Sequence, residues 1–190
     1  MENLVYLVAV PTGKLLHCSR KIQKFLWDKY NLHIDQQPEI HLTMDAVYYE
    51  NSLELEKLTN ALQEILKDIP SFEVMANGFS YIPCPYNCIT IHIVKTKELK
   101  SIYEHIHEGL IRKGFRVRAF HSHEIIFHIS LAGIYGRPWT EEESQNAWQD
   151  VKDFQFQCHS RINELQLWYP DVHSDKKVIA KFQLFESKDQ

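Results

Sequence analysis

Two five-residue segments of this chain are built alike: Ile40-His41-Leu42-Thr43-Met44 and Phe127-His128-Ile129-Ser130-Leu131. Each reads apolar, histidine, apolar, hydroxyl, apolar. Successive side chains on an extended strand point to opposite faces, so His41 and Thr43 share one face while Ile40, Leu42 and Met44 share the other. The same holds for His128 and Ser130 against Phe127, Ile129 and Leu131. The pattern therefore demands two strands, each buried on one side and carrying an imidazole and a hydroxyl on the other. Because the segments fall in opposite halves of the chain, within similar surroundings, they point to two related lobes facing one cleft.

The chemistry follows from the residue types. Histidine has an unperturbed pKa of about 6.5, so one imidazole can take a proton from a water or hydroxyl while a second gives one to a leaving oxygen. Two hydroxyls beside them can donate to the non-bridging oxygens of a phosphate as charge builds there. His41 and His128 are accordingly the candidate general base and acid, in an order the pattern leaves open, and Thr43 and Ser130 the candidate phosphate contacts. The bare tripeptide is not specific: with eleven histidines in the chain, about one H-x-[ST] match arises by chance. A third match, His17-Cys18-Ser19, lies in a helical pattern, where residues two apart do not share a face. It is set aside.

The rest of the chain alternates strands and helices. Apolar runs over residues 4–10, 39–49, 72–82, 88–94, 124–132 and 176–186 predict strands, and residues 154–169 one long or broken strand. Helical spacing covers residues 14–30, a stretch beginning at Ser52 and ended by Pro70, residues 98–112 closed by Gly114, and residues 140–151. Residues 115–122 carry no clear signal. Pro83-Cys84-Pro85-Tyr86-Asn87 is a turn-rich loop, and another turn falls around residues 171–175. No flexible linker separates the halves. The expectation is an α+β fold of one bilobal domain over residues 1–190, with antiparallel sheets around a central cleft and helices outside.

Charge and composition narrow the function further. The net charge is −4 and the pI about 6.2, which disfavours a broad grip on duplex DNA. A nucleotide or a short RNA end held by a local basic patch fits better. Apolar residues make up 44% of the chain, enough for a sizeable core, yet no stretch has the length of a membrane span. Glu2 precedes a short apolar run without a basic region, so no signal peptide is expected. The four cysteines do not form a secreted disulfide framework. A reduced, cytoplasmic monomer is the reading.

With both motifs in this order of elements, the chain resembles the two-histidine (2H) phosphoesterase superfamily, in particular its 2′-5′ RNA ligase and cyclic phosphodiesterase branch. That family carries two H-x-[ST] motifs on strands, matched here by His41-Leu42-Thr43 and His128-Ile129-Ser130. It opens with an apolar strand and closes with a strand, a turn and a last strand, as residues 162–185 do. The resemblance implies a bilobal fold with pseudo-twofold symmetry, a phosphodiesterase acting without metal or other cofactor, and 2′-linked nucleotide or RNA substrates. Such substrates are 2′,3′-cyclic phosphates, 2′-5′ linkages or cyclic oligonucleotides. Some features depart from the family. Phe127 stands where proline often precedes the second histidine. Leu131-Ala132-Gly133 follows Ser130 without a basic residue, Arg137 lying further on. The helix from Thr140 to Val151 looks inserted.

Two other functions compete with this one. The fold can serve as an RNA-binding module without turnover. A zinc-dependent hydrolase is the other, because His105, His107, His121 and His123, with Glu124 near, are numerous; no recognisable zinc spacing accompanies them. Among the remaining polar and aromatic residues, Arg112, Lys113, Arg116 and Arg118 form one basic run, and Lys14, Arg20, Lys21 and Lys24 another. Either run is a solvated face or a cleft flank receiving an RNA phosphate. Tyr48, Tyr49, Phe127, Tyr135 and Trp139 stand near the motifs, available to stack on a base or to pack the core.

Overall fold

A computed structural model describes residues 3–33, 37–118, 125–134, 136–170 and 177–186. Its elements in chain order begin with β1 (Asn3–Ala9), α1 (Gly13–Lys29), β2 (Leu42–Tyr49), α2 (Ser52–Leu66), β3 (Phe72–Ile82), β4 (Cys88–Ile93) and α3 (Lys97–Arg112). They continue with β5 (Arg116–Val117), β6 (His128–Ala132), α4 (Glu141–Val151), β7 (Gln157–Ile162), β8 (Glu164–Trp168) and β9 (Val178–Gln183). The architecture is mixed α and β with antiparallel ladders, as expected. The strands join in the order β7-β3-β4-β6-β2-β1-β8-β9, with β5 also on β2.

The two motif strands are neighbours at the middle of that order. β7, β3, β4 and β6 lie on one side of the junction, β2, β1, β8 and β9 on the other. Exchanging the sides matches β6 with β2, which is the twofold pattern the paired motifs suggested. The chain passes from one half to the other at Asn163: β7 pairs with β3, whereas β8 pairs with β1. Residues 154–169 are thus a broken strand whose two pieces serve opposite ends of the sheet. The sheet is curled, since α1 packs against both β6 and β7 although β4 and β3 stand between them.

Helix starts follow from local chemistry. The side chain of Asn51 accepts from the Glu54 N–H at 3.0 Å, Thr96 from Leu99 at 3.1 Å, and Thr140 from Glu143 at 3.1 Å. Each satisfies one of the donors a helix leaves without an internal partner. Glu143 returns a bond to the Thr140 N–H and so completes a capping box. Gly114, at φ +85°, stops α3 in the left-handed conformation expected of it.

The buried residues form one continuous cluster that runs through both halves of the sheet and includes Leu42, Met44, Val47, Ile89, Ile91, Ile93, Ile129 and Leu131. The fully buried Trp27 on α1 donates from Nε1 to the Leu131 carbonyl at 2.9 Å and so seats that helix on β6. Gly133, just past β6, sits at φ +105° against the Asn87 backbone; a Cβ there would lie 2.2 Å from the Asn87 carbonyl oxygen. Only glycine fits that crossing.

One polar pair is built into the helix side. Asp45 is 5% exposed and its carboxylate accepts from the Ala46 N–H at 2.7 Å and from His107 Nδ1 at 2.9 Å. His107 is therefore a satisfied structural histidine, held above its ordinary pKa chiefly by the Asp45 hydrogen bond, against the opposing effect of burial. A histidine whose pKa is raised by folding stabilises fully below its unfolded pKa of about 6.5, and that contribution fades as pH climbs through the raised value. His107→Gln should lower unfolding stability by roughly 2 kcal/mol near pH 6, where the bond is charge-assisted. Thermal or urea unfolding at pH 6 and pH 9 should show the deficit shrinking at the higher pH; a deficit that grows would contradict the assignment.

Candidate active site

Leu42 on β2 is the register partner of Ile129 on β6. Continued by one residue each way, this antiparallel register sets His41 opposite Ser130 and Thr43 opposite His128. The two motifs interlock, each histidine beside the other's hydroxyl, on the face away from the buried Leu42 and Ile129. The two histidines are then diagonal neighbours, at a backbone spacing of about 7–8 Å. All four side chains are half-buried.

The histidines do not sit inside their strands as the apolar runs suggested. His41 lies one residue ahead of β2, and His128 is the first residue of β6. At both places the imidazole Nδ1 bonds the backbone carbonyl two residues earlier, Glu39 at 2.8 Å and Ile126 at 2.9 Å. A carbonyl only accepts, so Nδ1 carries the hydrogen and Nε2 is the nitrogen left for chemistry. The two motifs thus share a tautomer lock as well as a sequence pattern. His17-Cys18-Ser19 behaves as its helical setting requires: His17 is exposed and Ser19 fully buried.

The surroundings of the two imidazoles differ. The His41 ring lies 5.1 Å from the Trp168 ring, centroid to centroid, and the Lys177 ammonium stands over that indole at 4.1 Å. Lys177, only 8% exposed, also pairs with Glu39 at 3.1 Å. Trp168 donates to Gln166 at 2.7 Å, which donates to Glu164 at 2.7 Å, so the indole is held in place. Burial lowers the His41 pKa; the Glu39 carbonyl opposes this, while the positive charges of Lys177 and His128 lower it further. His41 is therefore kept neutral near pH 7, and His128 is within its electrostatic reach.

On the other side, β4 pairs residue for residue with β6: Thr90 opposite Ser130, Ile91 opposite Ile129 and His92 opposite His128. Thr90-Ile91-His92 is the motif read backwards. Thr90 is fully buried and donates to the Ser80 carbonyl at 3.3 Å, which leaves His92, half-buried, as a third imidazole on the motif face. Sequence reasoning missed it, because only the β4–β6 register places it there. The Ser130 hydroxyl bonds the Cys88 thiol, whose pKa burial pushes up to about 12, so that group stays protonated.

Several other candidates fall elsewhere. Arg137 does not face the cleft. Its five N–H groups are engaged by the carbonyls of Asn31, Tyr30 and Pro138 and by both oxygens of Glu143, tying the end of α1 to the start of α4. In return Glu143 is held down to about 2, chiefly by Arg137. Lys14, Arg20, Lys21 and Lys24 are exposed along α1. Phe127 and Trp139 are buried, Trp139 donating to the Asn87 carbonyl at 2.6 Å. His105 is exposed on α3. His121, His123, Glu124 and Tyr135 lie outside the described residues, among which no three His, Cys, Asp or Glu side chains converge as metal ligands. No helix of the described chain is long and apolar enough to cross a membrane.

Comparison with known proteins places this arrangement. The fold is that of the phosphoesterases. A crystal structure of a phosphoesterase superposes with a TM-score of 0.61 at 12% identity, covering 98% of this chain and 100% of its own. E. coli LigT complexed with 3′-AMP gives 0.57 at 12% identity, covering 98% of this chain and 100% of its own. The MHV ns2 PDE domain gives 0.55 at 14%, covering 87% of this chain and 99% of its own. The family model of the 2′-5′ RNA ligase superfamily matches residues 19–174, and the chain belongs to that family of 2H phosphoesterases. No curated protein matches by sequence.

The depressed pKa of His41 generates a direct test. Lys177→Met and His128→Ala each remove a positive charge near His41, so each should raise its pKa. Histidine ring NMR titration reads this without reference to turnover. An unchanged or lower value in both variants would contradict the described surroundings.

Proposed function

We propose that this chain is a metal-independent phosphodiesterase acting on 2′-linked nucleotide or RNA phosphodiesters. The observation that carries the reading is the interlocked register of the two motifs, each imidazole locked through Nδ1 and set beside the other motif's hydroxyl. In the forward reaction His41 Nε2, neutral near pH 7, takes the proton of the attacking water or hydroxyl. Protonated His128 gives a proton through Nε2 to the leaving 2′ or 3′ oxygen. Thr43 and Ser130 donate to the non-bridging oxygens.

Hydrolysis of a 2′,3′-cyclic phosphate by this route yields a ribose phosphomonoester with one free hydroxyl. Hydrolysis of a 2′-5′ linkage yields a phosphomonoester and a free hydroxyl on the departing nucleotide. Attack of a 5′-hydroxyl, in place of water, on the 2′,3′-cyclic phosphate breaks its bond to the 3′ oxygen, which takes the proton, and forms a 2′-5′ linkage. A nucleotide substrate is supported by E. coli LigT, whose structures hold 3′-AMP, NADP+ and ATP. The proton transfers and charge stabilisation need no Lewis acid.

Turnover of a 2′,3′-cyclic nucleotide and a 2′-5′ dinucleotide tests the reading. His41→Ala and His128→Ala should each cost roughly 10²–10⁴-fold in kcat. The double variant should lose little more than either alone, because the two act as a unit. Thr43→Ala and Ser130→Ala should cost less. Full activity in both histidine variants, or unfolding of both, would overturn the assignment; an RNA-binding module would show binding with no turnover from the outset.

Activity should also survive excess EDTA. Loss on chelation, restored by zinc or manganese, would favour the metal-dependent alternative.

A further inference from the structure

β6 lies between β2 and β4, so the face that carries the two motifs continues onto β4. There His92 is the register partner of His128. The Ile93 N–H donates to the Phe127 carbonyl at 3.1 Å, which makes residues 93 and 127 a hydrogen-bonded pair of the antiparallel ladder. Hydrogen-bonded and non-hydrogen-bonded pairs alternate along such a ladder. His92 and His128 are therefore a non-hydrogen-bonded pair, the kind whose side chains come closest, with Cα atoms about 4.5 Å apart.

Three features set the His92 imidazole apart from a structural histidine. It is half-buried, and among the described residues nothing hydrogen-bonds it, whereas His41 and His128 are each tied to a carbonyl and His107 to Asp45. Its other flank is not filled: β3 bulges there between Ala76 and Phe79, and Asn77 is exposed. Among the described residues no atom lies within 4 Å of where a Cβ would stand on Gly78. Finally, it has no counterpart in the other half. Exchanging the halves matches β4 with β1, whose register of Val8 with Thr43 and Ala9 with Leu42, continued by one residue, sets Val10 beside His41. The strand next to the base offers an isopropyl group, and the strand next to the acid offers a second hydrogen-bond donor.

In-line displacement keeps the attacking and leaving oxygens on opposite sides of phosphorus. With His41 at the attacking oxygen and His128 at the leaving one, the leaving group lies toward β6 and β4, where His92 stands. We propose that His92 is a third catalytic imidazole, which donates a hydrogen bond to the leaving ribose oxygen while His128 gives that oxygen its proton. The proposal rests on the phosphodiesterase reading and deepens it. The bond from phosphorus to the leaving oxygen breaks, that oxygen takes the Nε2 proton of His128, and His92 keeps its own. A donor aimed at the oxygen on which charge builds acts more strongly in the transition state than in the ground state.

The test uses the full chain and two product-like ligands. Hydrolysis of a 2′,3′-cyclic nucleotide keeps the departed oxygen as the ribose hydroxyl beside the phosphate of the product, a 2′- or 3′-nucleoside monophosphate that turnover identifies. In nitrogen-detected NMR this product should shift the ring signals of His41, His128 and His92. Its deoxy analogue, which lacks that one hydroxyl, should shift His41 and His128 and leave His92 unmoved. In turnover, His92→Phe should lower kcat about tenfold to a hundredfold with KM little changed. His92→Gln, whose amide keeps a donor, should restore most of that loss. Circular dichroism melts, and His128 ring signals unchanged in the free His92→Phe variant, separate the loss from a disturbed fold. A His92 signal that ignores the product or answers its deoxy analogue equally, or full kcat in His92→Phe, would overturn the proposal. Silence of His41 and His128 as well, with no turnover by the parent, marks failure of the phosphodiesterase reading itself, and the proposal falls with it.

Discussion

The antiparallel contact between β2 and β6, through Leu42 and Ile129, joins the halves of the sheet and sets the two motifs against each other. Either strand alone offers an imidazole and a hydroxyl with no partner. A slip of either strand by one residue would turn that strand's histidine toward the core and part it from the other motif, because side chains alternate faces. The register is held by what lies beneath it: Leu42, Met44, Ile129 and Leu131 are buried, and Trp27 bonds the Leu131 carbonyl. Packing on the helix side therefore determines geometry on the other side.

Within that frame the two histidines are alike in connection and unlike in setting. Each is fixed by the carbonyl two residues before it, so both present Nε2. His41 then sits beside an indole capped by a buried lysine, and His128 sits opposite His92. A twofold arrangement with unequal surroundings suits a reaction in which one group starts without a proton and the other with one.

Much of the scaffold was legible in the sequence because its signals are local. The period-2 pattern of β2 and β6, the glycine stop at Gly114 and the helix start at Thr140 act over a few residues. What was illegible depends on pairing between distant segments. His92 becomes part of the motif face only through the β4–β6 register. The strand run over residues 154–169 is uniform in composition, yet its halves join opposite ends of the sheet at Asn163. Arg137 looked like a basic residue near the second motif and is instead consumed by Glu143 and three carbonyls. The run from Arg112 to Arg118 looked like one patch, but the turn at Gly114 sends its ends to different sides.

The central claim is that one phosphate group is held between two imidazoles that both present Nε2. Nitrogen-detected NMR of the histidine rings, during titration with a 3′-nucleoside monophosphate, measures this directly. The account predicts that the Nε2 signals of His41 and His128 shift together, with a single saturation curve, while both Nδ1 signals retain the character of a donor to a carbonyl. A shift confined to one of the two histidines, or an Nδ1 signal that responds in place of Nε2, would contradict it.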